Sequence, residues 1–68
     1  MAVIFTSGTF IASTSKAGRT EYVRSFDDFV WSFTEDKAQA MRLNAAQANR
    51  FRKDMRHLNQ IAMLETAE

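Results

Sequence analysis

The sequence predicts an α+β domain: a small, mostly antiparallel sheet of hairpins with one amphipathic helix, over about residues 44–58, packed on one face. Three observations lead there. Residues 2–14, AVIFTSGTFIAST, carry no charge and are rich in Val, Ile, Phe and Thr, the composition of extended chain. Residues 29–33, FVWSF, put Phe29, Trp31 and Phe33 at alternate positions, the period of a strand with one apolar face. Beyond Asn44, a good N-cap residue, Ala45, Ala48, Phe51, Met55 and Leu58 recur at steps of three and four, which gathers them on one stripe of an α-helix.

Taken in order, the first segment is interrupted by Gly8, which marks either a tight hairpin at Ser7-Gly8 or a bulge in one long strand. Ser15 to Arg19 is polar, holds the second glycine and reads as a loop that bends the chain into a hairpin. The next strand, Thr20 to Phe26, places Tyr22, Arg24 and Phe26 on one face and Glu21, Val23 and Ser25 on the other, and Asp27-Asp28 turns the chain. The aromatic run should be a central strand, and the N-terminal strand, with few charges to protect it, an exposed edge.

After Thr34 two readings compete. One is a long helix from about Glu35 to Leu64; the other is a short strand at Ala40 to Leu43 that returns beside FVWSF, and the cap at Asn44 favours the strand. Asn59-Gln60 offers a helix stop, after which Ile61 to Leu64 reads as a last strand or as more helix. In tertiary terms, Phe51, Met55 and Leu58 should meet Phe29, Trp31 and Phe33, with Met41, Met55 and Met63 filling gaps in the core.

With 68 residues the chain is expected to be a single domain, 1–68, and a domain of that size buries only about 60% of the surface its unfolded chain exposes. Cysteine is absent, so disulfides and thiolate metal sites are excluded, and homodimerisation is the simplest remaining support for so small a core. Nine Lys and Arg against eight Asp and Glu leave a net charge of +1, so any electrostatic attraction must come from local clustering. No apolar run approaches the roughly 18 residues of a membrane span, and Met1 to Ala12 lacks the basic start of a secretory signal. The expectation is a soluble protein of the cytoplasm, with no membrane partner.

The stretch 29–56 resembles small proteins encoded by phages and mobile elements, of the anti-defence, anti-CRISPR-like type. The parts that carry the resemblance are the aromatic strand ending in Thr34, Glu35 and Asp36, the following segment with Ala38, Met41 and Leu43, and the helix with Ala45, Ala48 and Phe51. The resemblance implies a compact sheet of hairpins crossed by one helix. It also implies action by binding a host protein and blocking it.

The most functional-looking feature is the basic arc of the helix. Arg50, Arg52, Lys53 and Arg56 concentrate positive charge within seven residues, suited to an acidic protein surface or to phosphates. The plainer reading is a solvated helix face on which Arg50 pairs with Asp54 one turn on. A nucleic-acid role would need aromatic platforms beside the arc, for which Tyr22 and Trp31 are the candidates. His57 is the sole histidine and composes no catalytic triad or metal set. The acidic pairs Asp27-Asp28 and Glu35-Asp36 read as turn and cap residues and lack the spacing of a calcium loop. No enzyme activity, metal or cofactor is expected. The leading expectation is a non-enzymatic protein-binding module directed at a host protein through Arg50, Arg52, Lys53 and Arg56; the alternative is a small nucleic-acid-binding module using the same face.

Overall fold

Two hairpins with two-residue turns build the first part of the sheet. In the computed structural model, which describes residues 5–67, β1 (Thr9–Lys16) joins β2 (Arg19–Asp27) through Ala17 and Gly18, and β2 joins β3 (Val30–Thr34) through Asp28 and Phe29. All four turn residues have positive φ: 52° and 78° in the first turn, 49° and 63° in the second. That is the handedness a two-residue hairpin needs, because it matches the right-handed twist of the flanking strands. Gly18 adopts it freely, but for a bulky residue such as Phe29 the same conformation costs on the order of 1 to 3 kcal/mol.

After β3 the chain makes one 3₁₀ turn, Lys37–Gln39, capped by Asp36, whose carboxylate accepts the Ala38 N–H at 3.0 Å. A three-residue strand, β4 (Arg42–Asn44), leads into α1 (Ala45–His57), and β5 (Ala62–Thr66) closes the order. The sheet is antiparallel and five-stranded, and β1 is its centre. Along one edge of β1 runs β5, against Phe10 to Thr14. The other edge is shared: β2 pairs with Ser13 to Lys16, and β4 with Thr9 to Ile11. The N-terminal strand is therefore not an edge, and the aromatic strand, placed outermost beyond β2, is not central. The reason lies in the side chains. A strand with ladders on both sides and cover on its faces has no room for charge, and Ala12, Ser13 and Thr14 are all buried.

The short strand before the helix forms as expected but returns beside β1 rather than beside the aromatic strand; just before it, the Met41 N–H donates to the Val23 carbonyl at 2.8 Å. A second correction concerns β2. Strict alternation sets Val23 and Phe26 on opposite faces, yet a register shift between Val23 and Ser25 lets Val23 pair with Phe33 and Phe26 pair with Trp31. Since Trp31 and Phe33 share a face, the bulge brings both Val23 and Phe26 to the helix side. Gly8 belongs to neither a hairpin nor a bulge: it precedes β1 at φ 110°, where a Cβ would stand 3.2 Å from the Phe10 ring. Ala2 to Ile4, read as extended chain, lie outside the described residues.

The helix keeps the expected bounds because both ends are capped. Asn44 Oδ1 accepts the Gln47 N–H at 2.9 Å while Gln47 Oε1 accepts the Asn44 N–H at 3.0 Å, a reciprocal capping box. At the other end Asn59 turns left-handed at φ 59°, its N–H donating to the Arg56 carbonyl and that of Gln60 to the Met55 carbonyl. This Schellman stop settles the last segment as the strand β5. It also turns Leu58 out of the stripe, leaving it 61% exposed.

The core is formed by Ala12, Val23, Leu43, Phe51 and Met55, with Trp31, Phe33, Met41, Ala62 and Leu64 packed against it. Phe51 and Met55 meet Trp31 and Phe33 as expected, whereas Phe29 and Leu58 stand outside and Met63 is part-exposed. The Lys37 ammonium donates to the Glu65 carboxylate at 2.9 and 3.2 Å, tying the 3₁₀ turn to β5; that hydrogen bond, then the carboxylate's charge, raises the lysine above its ordinary pKa of 10.5.

Phe51 is fully buried at the centre of these contacts. Phe51→Ala is expected to lower stability by about 3–5 kcal/mol, enough to unfold much of a domain this small. Chemical unfolding checks it, and a midpoint close to that of the parent chain would contradict the packing.

Candidate functional site

On α1, residues four apart form rows, and the basic residues fall on three of them. Arg50, Asp54 and Leu58 run along the flank that faces β3. Arg52 and Arg56 run along the opposite flank, and Lys53 with His57 points farthest from the core. The four residues expected to make one patch therefore look in three directions.

Arg50 is engaged within the molecule. Its Nε donates to both Asp54 carboxylate oxygens, at 3.1 and 3.0 Å, and its guanidinium lies 5.4 Å from the centroid of the Phe29 ring. Asp54 also accepts the indole N–H of Trp31 at 2.8 Å. Trp31 in turn stacks on Phe26 at 4.0 Å and meets the edge of Phe51 at 5.1 Å. One carboxylate thus fastens the helix, the edge strand and an arginine together. Arg52 is half-buried over the Phe5 ring, 5.5 Å from its centroid, and the Phe5 backbone is held by the Asn49 amide at 3.0 and 2.8 Å. Lys53 and Arg56 are exposed. Arg52 and Arg56 line a shallow pocket of about 360 Å³ with Asn59, Gln60, Ile61 and Ala62.

A second concavity, a groove of about 320 Å³, opens between β3 and the C-terminal end of α1. Its walls are Phe29, Val30, Trp31, Phe33, Met55 and Leu58. Thr14, Lys16 and Glu21 are at its polar end, and the buried Thr14 hydroxyl finds no partner among the described residues. The groove exists because α1 packs over β1, β4 and β5 and leaves the β2–β3 hairpin to be touched by side chains alone. Phe29, Val30 and Leu58 form its exposed lip, at 76%, 61% and 61% exposure.

Sequence reasoning assigned Phe29 and Leu58 to the core and so missed this surface. The available signal was turn geometry: a two-residue loop at Asp28-Phe29 removes Phe29 from the strand, and Asn59 as a left-handed stop removes Leu58 from the stripe. Of the two aromatics considered as platforms, Trp31 is packed against the helix, and only Tyr22 lies on the opposite face of the sheet. Glu35 pairs with Arg19 at 3.5 Å, and Asp36 is a cap. Among the described residues no three His, Cys, Asp or Glu side chains converge as metal ligands, and no helix is long and apolar enough to cross a membrane.

Asp54 serves two donors from a partly buried position, while the Arg50 side chain is about half exposed. Asp54→Ala is expected to cost about 1.5–3 kcal/mol, since it strands the indole N–H and the arginine together. Arg50→Ala should cost only about 0.3–0.5 kcal/mol, the value of an exposed pair one helical turn apart. Urea unfolding followed by the fluorescence of Trp31 reads both, and equal losses would contradict the assignment. Compared with protein-family models, with curated proteins and with solved structures, the chain matches none of them, and its function is argued from this geometry.

Proposed function

We propose that the chain is a non-enzymatic protein-binding module, a phage-type inhibitor that occludes a surface of a host defence or regulatory protein in the cytoplasm. One observation carries the reading: Phe29 is held at positive φ and 76% exposed, at the lip of an apolar groove and against the guanidinium of Arg50. Aromatic side chains around a concavity, with an arginine at its rim, are the composition of protein interfaces and their hot spots. Strain retained at an exposed position points to a use outside the fold. Arg52, Lys53 and Arg56, on the outer and far flanks of α1, add long-range attraction for an acidic partner surface, while Arg50 shapes the lip of the groove through Phe29 and Asp54.

The second reading, nucleic-acid binding, draws on the pocket between Arg52 and Arg56, where two guanidinium groups and the Asn59 and Gln60 side chains line one concavity. Of the two platforms that reading calls for, Trp31 is packed against the helix and Tyr22 lies on the face of the sheet away from the arginines.

Affinity capture from host lysate, with and without nuclease, separates the two. The protein-binding reading expects one host protein retained through nuclease treatment, lost when Arg52, Lys53 and Arg56 are changed to Glu, and weakened by Phe29→Gly. That glycine variant should unfold no more easily than the parent, because Asp-Gly is the favoured pair for this turn. Retention that vanishes with nuclease would overturn the reading. So would affinity falling with log salt by about 0.9 for every phosphate contacted on a DNA duplex.

A further inference from the structure

The outer edge of β3 is the least defended strand edge among the described residues. β3 ends the run β3-β2-β1. Its sequence, VWSFT, contains no charge and no proline, the devices by which edge strands ordinarily refuse another strand. The other outer strands carry charge: β5 has Glu65, held by Lys37, and the three-residue β4 has Arg42. In an antiparallel ladder that begins at the Asp27–Val30 pair beside a two-residue turn, Val30, Ser32 and Thr34 direct their backbone groups to β2. The N–H and C=O groups of Trp31 and Phe33 are then left facing outward.

Acid brackets this neutral edge. Asp27 and Asp28 stand at one end and Glu35 and Asp36 at the other, all exposed. Arg19 offsets one of these charges, through Glu35 at 3.5 Å. The field at both ends therefore favours a cation, while the strand between them offers backbone hydrogen bonds and the exposed side chains of Phe29 and Val30 stand where it begins.

We propose that this edge takes up an extended segment of the partner protein as a further strand, with β-branched or apolar residues along β3 and a basic residue near each end. The inference rests on the binding-module reading and names the surface that the partner uses. A second copy of the chain is the poorer occupant. Full antiparallel overlap of two β3 strands about Ser32 sets Asp28 of one against Asp36 of the other, and like charges in that position repel.

The test uses the full chain and a short synthetic peptide of alternating valine and threonine with lysines at both ends, beside the same peptide with glutamates at the ends. Amide hydrogen exchange is followed by NMR. The lysine-ended peptide is expected to slow exchange at Trp31 and Phe33 while Val30 and Ser32, already paired with β2, change little. It should bind about tenfold or more tightly than its glutamate-ended counterpart. Val30→Lys, at an exposed position, should leave thermal unfolding unchanged and remove the protection. Equal binding of the two peptides, or protection confined to α1 or β5, would overturn the proposal. Protection that grows with protein concentration in the absence of peptide would overturn it in favour of self-pairing. A host protein retained by the Val30→Lys chain but lost with the helix-face charges would sink the edge while leaving the binding-module reading intact.

Discussion

The constraint on which the fold depends is the double ladder of β1. Each strand has two edges, and in β1 both are taken: β5 along one, β2 and β4 end to end along the other. Three strands are located directly by that single segment, and β3 follows through β2. Its residues must therefore satisfy ladder hydrogen bonds on both sides and cover on the helix face, which only small or apolar neutral side chains do without desolvating a charge. Ala12 and Thr14 sit under the helix, and Ser13 is nearly as buried on the other face. The cost appears at Thr14, whose hydroxyl is buried without a partner among the described residues. A β-branched side chain suits the centre of a sheet, and here its polar atom comes with it.

Once β1 is fixed, the position of α1 follows. β4 is only three residues long and hands the chain to the helix at Asn44, so the helix begins over β1 and β4 and runs toward β5. Thirteen residues give it a length of about 20 Å, which is too short to cover the β2–β3 hairpin as well. The hairpin compensates by curling. The irregularity at Val23–Ser25 re-aims Phe26 and lets Trp31 lean between Phe26 and Phe51 while its indole N–H reaches Asp54. The helix and the edge strand are thus joined through side chains, and the space they leave beside that joint is the groove.

The legible parts of this molecule were those written in local chemistry. The helix start reads directly from Asn44 as a cap, the helical stripe from Ala48, Phe51 and Met55, and the strand character of the N-terminal segment from its lack of charge; the reciprocal bond from Gln47 emerged only in the structure. Strand order was not legible, because absence of charge marks a strand whose edges are unprotected and equally a strand whose edges are both occupied. The sequence of β1 satisfies either description, and only the pairing partners decide. Face assignments failed where one residue intervened: a single bulge near Arg24 reverses the side of Phe26, and a single left-handed residue, Asn59, ends the stripe before Leu58. The basic cluster suffered in the same way. Arg50, Arg52, Lys53 and Arg56 are close in sequence, but a helical step of about 100° per residue spreads them around the axis.

These features meet at Phe29, in the β2–β3 turn. Folded domains hold a net stability of only about 5–15 kcal/mol, so a turn residue strained by even 1 kcal/mol in a chain of this size draws on a narrow margin. Part of the strain is offset locally, through the edge-on contact with Phe26 at 6.3 Å and the guanidinium of Arg50. Neither contact buries the ring, which keeps three quarters of its surface in water. A glycine would make the same turn without strain and without exposing apolar area. The ring returns to the fold only its contacts with Phe26 and Arg50. The ring borders the groove, adjoins the neutral edge of β3 and lies against the guanidinium of Arg50. In the proposed binding role, the residue that weakens the hairpin as a folding unit would be covered by the partner, and its burial there would recover the hydrophobic free energy that the isolated fold leaves unused.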